Sequence, residues 1–284
     1  MLSLQRGKRR KVRSMSNSAS QFVGNIPENY DQRLGPNIFV DYADDIVRRV
    51  VGCQPSAVLE IAAGTGIVSR RLRDALPSGT SLCVTDLNGP TLEIAKSKFS
   101  DDENATFQPS DALDLPFDDN SFDTAICQFG LMFFPDKQAS FAEVARVLKP
   151  GGTYLFNTWG TLHENPFSEI ADGVAREAFP DDPPMFYKVP FSYNDAHAVQ
   201  TDMQTGGLTQ TSHEQVNIEK TITDVAEFSK GLVYGNPLIA EIESRGGASA
   251  DEIAGQIERQ MRKAFGTDPS VMPLVAHVFS GKAP

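Results

Sequence analysis

The stretch Ala57-Val-Leu-Glu60-Ile-Ala62-Ala-Gly64-Thr65-Gly66-Ile-Val68-Ser69-Arg-Arg-Leu72 decides the fold. Its apolar run, Ala57 to Ala62, reads as a parallel strand buried on both faces. The run breaks at Gly64-Thr65-Gly66 and resumes with Val68 and Leu72 at helical spacing, arginines between them. Strand, glycine turn and helix open a βαβ unit. The glycines permit a tight turn and let backbone approach a ligand where a Cβ would clash. The helix beyond presents unpaired N–H groups and the positive end of its dipole. Dinucleotide sites use the same device with a third glycine, G-x-G-x-x-G, and Ser69 stands at that place here. This argues against a pyrophosphate on the helix end.

Working outward, Ser81 to Asp86 reads as a second strand, and Pro90 to Phe99 as a helix. Asp86 follows Gly64 by 22 positions, where a carboxylate suits both hydroxyls of a ribose. Ala105–Gln108 is a third short strand, Thr124–Gln128 a fourth, and Thr153–Thr158 a fifth. A helix from Phe141 to Leu148 is stopped by Lys149-Pro-Gly-Gly152. Open α/β sheets bind ligands beyond the carboxyl ends of their strands, which brings Gln128 and Phe129 to the site.

Three motifs fall in register. Glu60 followed by Ile61-Ala62-Ala-Gly64-Thr65-Gly66 resembles the first motif of class I S-adenosyl-L-methionine (AdoMet) methyltransferases. Asp111-Ala112-Leu-Asp-Leu-Pro-Phe-Asp-Asp-Asn-Ser-Phe-Asp123 resembles the D-A-x-x-L-P-F-x-D-x-S-F-D run of the subgroup that includes the ubiquinone and menaquinone C-methyltransferases. Glu143-Val-Ala-Arg146-Val-Leu-Lys-Pro-Gly-Gly152 matches that family's E-x-x-R-V-L-K-P-G-G phrase. The resemblance implies a Rossmann-like α/β fold, AdoMet as cofactor and S-adenosyl-L-homocysteine as product. It also implies cofactor contacts from Tyr30, Glu60, Ala62, Gly64, Thr65, Gly66, Asp86, Leu87, Asp111, Ala112 and Gln128. In the family the acid and the next backbone N–H read the adenine edge, which maps onto Asp111 and Ala112. An acceptor oxygen beside an N–H donor is the match for adenine's amino group and ring nitrogen.

The flanks are less regular. Met1 to Gln21 lack hydrophobic periodicity. They carry Lys8-Arg-Arg-Lys11, which fits a disordered basic tail, a targeting segment or an upstream start before Met15. Ile26 to Gly35 is polar and rich in turn formers, and a helix is expected from Pro36, with Phe39, Ala43, Ile46, Val47 and Val50 on one face. Tyr30 and Phe39 stand as cofactor contacts or as ordinary packing. Beyond Trp159 come a loop holding His163, a proline- and aromatic-rich connection from Phe179 to Phe191, and a helix from Asn194 to Gln204. Leu208–Lys220 reads as strand six and Val271–Phe279 as strand seven, with Pro273 marking an edge-tolerant position or a bulge.

The expected architecture is a seven-stranded, mostly parallel sheet with helices on both faces and a helical cap between strands six and seven. A tail over 1–21 precedes a domain over 22–284, its core at about 39–222 and 270–284 and its cap at about 223–266. The capping box Ser249-Ala-Asp-Glu252 and the stripe Ile253, Ile257, Met261 and Phe265 mark the last cap helix.

The chain has 284 residues and a net charge of −11. Six basic residues precede the first acid, Glu28, leaving 20 basic against 37 acidic residues beyond them. So acidic a body repels a phosphate backbone and disfavours nucleic acid as partner. No apolar run suits a membrane helix. Cys53, Cys83 and Cys127 lie far apart and the four histidines are scattered, so no metal site is expected and a cytoplasmic protein is. The expected reaction is methyl transfer to a small apolar or aromatic acceptor. Phe129, Trp159 and Phe186 would wall the acceptor, and His163 is the candidate base by position or else a solvated loop histidine. A nicotinamide-dependent reductase and a catalytically silent AdoMet-binding sensor are the rivals.

Overall fold

The computed structural model describes residues 22–267 and 269–284; the tail assigned to 1–21 lies outside the described residues. Seven strands form one sheet: β1 (Ala57–Glu60), β2 (Ser81–Asp86), β3 (Ala105–Pro109), β4 (Phe122–Gln128), β5 (Leu148–Trp159), β6 (Thr209–Ile222) and β7 (Ser270–Lys282). Their order is β3-β2-β1-β4-β5-β7-β6. The pairings from β3 to β5 are parallel, and β7 runs antiparallel to both β5 and β6. The order reverses between β1 and β4, so a crevice opens at their carboxyl ends.

Alternation along the strands builds two layers. Val58, Leu82, Val84, Ile126 and Leu155 pack against α2 (Val40–Gly52), α3 (Ile67–Ala75) and α4 (Gly89–Lys96). Their neighbours Leu59, Cys83, Ala125, Cys127 and Phe156 face the opposite way. They meet Phe141 and Val144 of α5 (Lys137–Val147) and Val199 and Met203 of α7 (Ala196–Thr205). Strands that are apolar on both faces are what a sheet covered twice requires. Pro273 opposes Glu219 of β6 at a point before β7 begins its pairing with β5 at Ala276. Its missing N–H therefore breaks no ladder on that side.

The N-terminal segment differs from its sequence reading. Instead of a polar turn and a helix starting at Pro36, α1 (Ile26–Asn29) passes directly into a π-helix, Tyr30–Phe39, and then into α2. Pro36 sits inside the π-helix, and the Val40 N–H bonds the Gly35 carbonyl, the i→i−5 pattern. A proline lacks its N–H and crowds the carbonyl four residues earlier, so the wider turn accommodates it without ending the helix.

The cap draws on three segments. Between β6 and β7 run α8 (Val225–Tyr234), α9 (Leu238–Arg245) and α10 (Ala250–Phe265). Ser249 and Glu252 close the capping box that starts α10, and Ile253, Ile257 and Met261 are buried. The same apolar cluster includes Leu34 and Ile38 of the π-helix and Phe167 and Val174 of α6 (Pro166–Ala178). Phe186, Tyr187 and Phe191 of the aromatic connection complete it.

Candidate cofactor and acceptor site

A cavity of about 520 Å³ opens at the carboxyl ends of the strands. Its floor begins with the turn after β1. Ala62 and Gly64 take left-handed backbone conformations, with φ of 54° and 58°. A Cβ on Gly64 would meet no protein atom within 4 Å, and this residue lines the cavity. Gly66 has the other role. At φ 80° its Cβ would fall 2.8 Å from the Ala95 Cβ and 2.9 Å from its Cα, so it sets the packing of α3 on α4.

Asp86 ends β2 and is buried. One carboxylate oxygen accepts the Gly64 N–H at 2.8 Å and the other the Asn88 N–H at 2.7 Å. Each oxygen keeps a lone pair toward the cavity that Asp86 lines. Burial pushes this carboxyl above the ordinary carboxylate value, and the backbone donors of Asn88 and Gly64 pull it part of the way back. Beside it Leu87 holds an apolar side chain 64% exposed at the cavity wall. After β3, Asp111 accepts the Leu113 N–H at 2.9 Å and lines the cavity with Ala112.

The loop after β4 is pressed against the first turn. Phe129 has φ 51°, and its N–H donates to the Asn157 side chain at 2.9 Å. A Cβ on Gly130 would lie 2.6 Å from the Ala62 Cβ. Two non-glycine residues in left-handed backbone, Ala62 and Phe129, thus flank the crevice. Such conformations cost about 1–3 kcal/mol and persist only where the surroundings impose them. Gln128 donates to the Phe39 carbonyl at 3.3 Å, while its Oε1 is buried without a partner.

The N-terminal helices cover the opening. Tyr30 stacks on Phe39 with ring centroids 4.7 Å apart, and burial, Asp31 and Asp86 together hold its phenol well above the ordinary range. Asp31 fastens this cover to the floor: it accepts Thr65 Oγ1 at 2.6 Å and Lys98 Nζ at 2.6 Å. On the far side Phe129 stacks on Trp159 at 4.0 Å and 11°, Trp159 on Phe191 at 5.8 Å, and Phe191 on Tyr187 at 6.4 Å. Phe186, Phe167, Met132 and Leu232 add to this chamber. Among the described residues, the charged side chains on the cavity wall are Asp86 and Asp111, both at the floor end.

Twelve of the expected site residues meet on this one cavity: Tyr30, Ala62, Gly64, Thr65, Asp86, Leu87, Asp111, Ala112, Gln128, Phe129, Trp159 and Phe186. Three do not line it. Gly66 lies behind the turn. Glu60 is buried beneath it; burial pushes its carboxyl up to about 8, with Ser69 opposing and the Asp86 charge adding. One Glu60 oxygen has no hydrogen-bond partner. His163 is corrected outright: its side chain is 90% exposed and pairs with Glu169 at 3.3 Å on the protein surface. The loop after β5 turns away because Asn165 ties it to Val275 of β7 through two hydrogen bonds. Sequence reasoning missed Leu34 and Ile38, hidden in the unexpected π-helix, and Tyr187 and Asn236. For Tyr187 the signal was its place beside Phe186 in an aromatic-rich connection.

Residues 59–156 match the family model described as a methyltransferase domain. Over that stretch the chain carries a methyltransferase domain. It is 35% identical over 114 residues to a demethylmenaquinone methyltransferase of Clavibacter sepedonicus, which covers 40% of this chain and 45% of that protein. It is 32% identical over 126 residues to the ubiquinone/menaquinone biosynthesis C-methyltransferase UbiE of Psychromonas ingrahamii, which covers 43% and 50%. The chain thus spans about half the length of the relatives it matches. Among solved structures, phosphoethanolamine N-methyltransferase 2 of Haemonchus contortus, in complex with AdoMet, aligns with a TM-score of 0.58. That match is 18% identical and covers 93% of this chain and 58% of the other, a likeness of fold. Among the described residues no helix is long and apolar enough to cross a membrane.

The residues present fit AdoMet. Gly64 leaves a space that a Cβ would fill, Asp86 has acceptor capacity for a diol, and Leu87 offers an exposed apolar surface for a flat base.

Proposed function

We propose that this methyltransferase moves the methyl group of AdoMet to a small, neutral, apolar or aromatic acceptor. The observation that carries the reading is a single cavity with two unlike ends. One is a polar floor built from strand termini, the other an aromatic chamber without a charged side chain among the described residues. Asp86 would hold the ribose, Asp111 and the Ala112 N–H the adenine, and the turn at Gly64 the amino-acid end. AdoMet supplies an electrophilic methyl on a cationic sulfur.

The chain's contribution is orientation and dryness. Holding reactants in line supplies ~7–11 kcal/mol in favourable cases. The N-terminal cover latched by Asp31 and the packed rings from Phe129 to Tyr187 keep water from the crevice. No histidine, lysine or cysteine lines the cavity among the described residues, so the acceptor brings its own nucleophile. A phosphate or carboxylate on the acceptor would enter the chamber without a counter-charge, at a desolvation cost of several kcal/mol. The relatives named as demethylmenaquinone methyltransferases agree in kind with such a chamber.

The test is label transfer from methyl-tritiated AdoMet to a panel of reduced aromatic and quinol acceptors, with phosphoethanolamine and sarcosine as charged controls. Calorimetric titration with AdoMet and with nicotinamide dinucleotides accompanies it. Transfer to the neutral acceptors is expected. Failure to bind AdoMet, or transfer only to the charged pair, would overturn the reading.

A further inference from the structure

The chamber end of the cavity is apolar except at one place. Tyr187 and Asn236, both buried, meet on its wall beside Leu232. The Tyr187 hydroxyl donates to the Leu232 carbonyl at 2.8 Å, and Asn236 Nδ2 donates to the same carbonyl at 2.9 Å. Asn236 Nδ2 also donates a long hydrogen bond to the Tyr187 oxygen at 3.5 Å, and Asn236 Oδ1 accepts the Leu238 N–H at 3.0 Å. The donors of the pair are therefore spent on protein. Both residues line the cavity, and what the pair has left is acceptor capacity: the second acceptor position of the Tyr187 oxygen and that of Asn236 Oδ1.

We propose that Tyr187, held by Asn236 and Leu232, is the specificity-determining residue that reads a hydroxyl group on the acceptor. The preference follows from the proton count. A hydroxyl on the ligand donates to the Tyr187 oxygen, whereas an ether or carbonyl oxygen offers only lone pairs against lone pairs. A purely apolar ligand leaves a buried polar atom unpaired, which is what gives hydrogen-bonding pockets their selectivity. Tyr187 lies three stacked rings from the β4 terminus, along Phe129, Trp159 and Phe191. The hydroxyl that is read is thus at the end of the acceptor away from the β4 terminus. This inference rests on the chamber being the acceptor site.

The experiment uses three probes, 2-naphthol, 2-methoxynaphthalene and naphthalene, titrated against the full chain. The chain's single tryptophan, Trp159, lines the cavity, and its fluorescence reports occupancy. Wild type should bind 2-naphthol about fivefold to tenfold more tightly than either other probe. In Tyr187→Phe that preference should shrink to within about twofold, with naphthalene bound more tightly than in wild type because no buried oxygen is left unpaired. Folding should survive the change, because the Leu232 carbonyl keeps the Asn236 donor; undiminished naphthalene binding verifies it. A wild type without preference, or a preference that persists in Tyr187→Phe, would overturn the proposal. AdoMet calorimetry on the same samples keeps the two readings apart. Lost preference with intact AdoMet binding refutes only the role of Tyr187, and intact preference without AdoMet binding refutes only the methyltransferase reading.

Discussion

Replacing Glu60 with glutamine should shift stability increasingly in the variant's favour as pH rises from about 5 to 8. The Glu60 carboxyl is wholly enclosed between β1 and the glycine turn, and its folded-state pKa is about 8 against 4.5 for the free side chain. The sign follows from linkage. A carboxyl with a raised folded pKa favours the folded state only where it is protonated in both states. The contribution is therefore fully present below about 4.5 and is lost as pH climbs through 8. Each pH unit in that window costs about 1.4 kcal/mol, so wild type should lose on the order of 3 kcal/mol relative to Glu60→Gln between about pH 5 and pH 8. Above that window the difference should level off. The amide adds a pH-independent offset, since one Glu60 oxygen has no partner and an NH₂ there would have none either. Only the slope bears on the argument. Urea denaturation of both proteins without AdoMet, at half-unit steps across the window, gives it directly. Parallel pH profiles for the two proteins would show that Glu60 is ionised in the fold and would refute the reasoning.

Three further outcomes are expected. Asp86→Ala removes a charged acceptor worth ~1.5–3 kcal/mol, so calorimetric AdoMet affinity should fall by one to two orders of magnitude. Gly64→Ala and Gly66→Ala should part company. The first costs about 1 kcal/mol of backbone strain and its methyl enters the cavity, so AdoMet binding falls with little change in melting temperature. The second overlaps the Ala95 backbone and should lower the melting temperature sharply, by overpacking of ~1–3 kcal/mol plus the strain. His163→Ala, on a side chain 90% exposed, should leave turnover and its pH profile as in wild type; a tenfold loss would restore the base assigned from its position.

The floor of the site was legible because its physics is local. A glycine turn, an acid ending a strand and an acid after the next strand each occupy a fixed place relative to their own element. The parallel sheet then brings the elements together. The cover and the chamber were less so. Pro36 reads as a helix start, and only tertiary packing of Leu34 and Ile38 against the cap makes a π-helix through it preferable. Asn236, which no sequence motif singles out, sits on the cavity wall where its amide bonds Leu232 of α8 and Leu238 of α9. His163 misled because proximity along the chain to the β5 terminus is not proximity in space once Asn165 bonds the loop to β7.

The position of β7 has a consequence for the order of assembly. Its residues bridge β5 and β6, which do not touch one another in the sheet. Thr153 finds its partner in Lys282, across more than a hundred residues, whereas β1 to β4 pair within the span from Ala57 to Gln128. Contacts so distant along the chain form late, because closing the intervening loop must precede any gain. The floor built from β1 to β4 can thus be complete while β7 is still unpaired. By this topology the aromatic chamber closes after the strand-terminus floor.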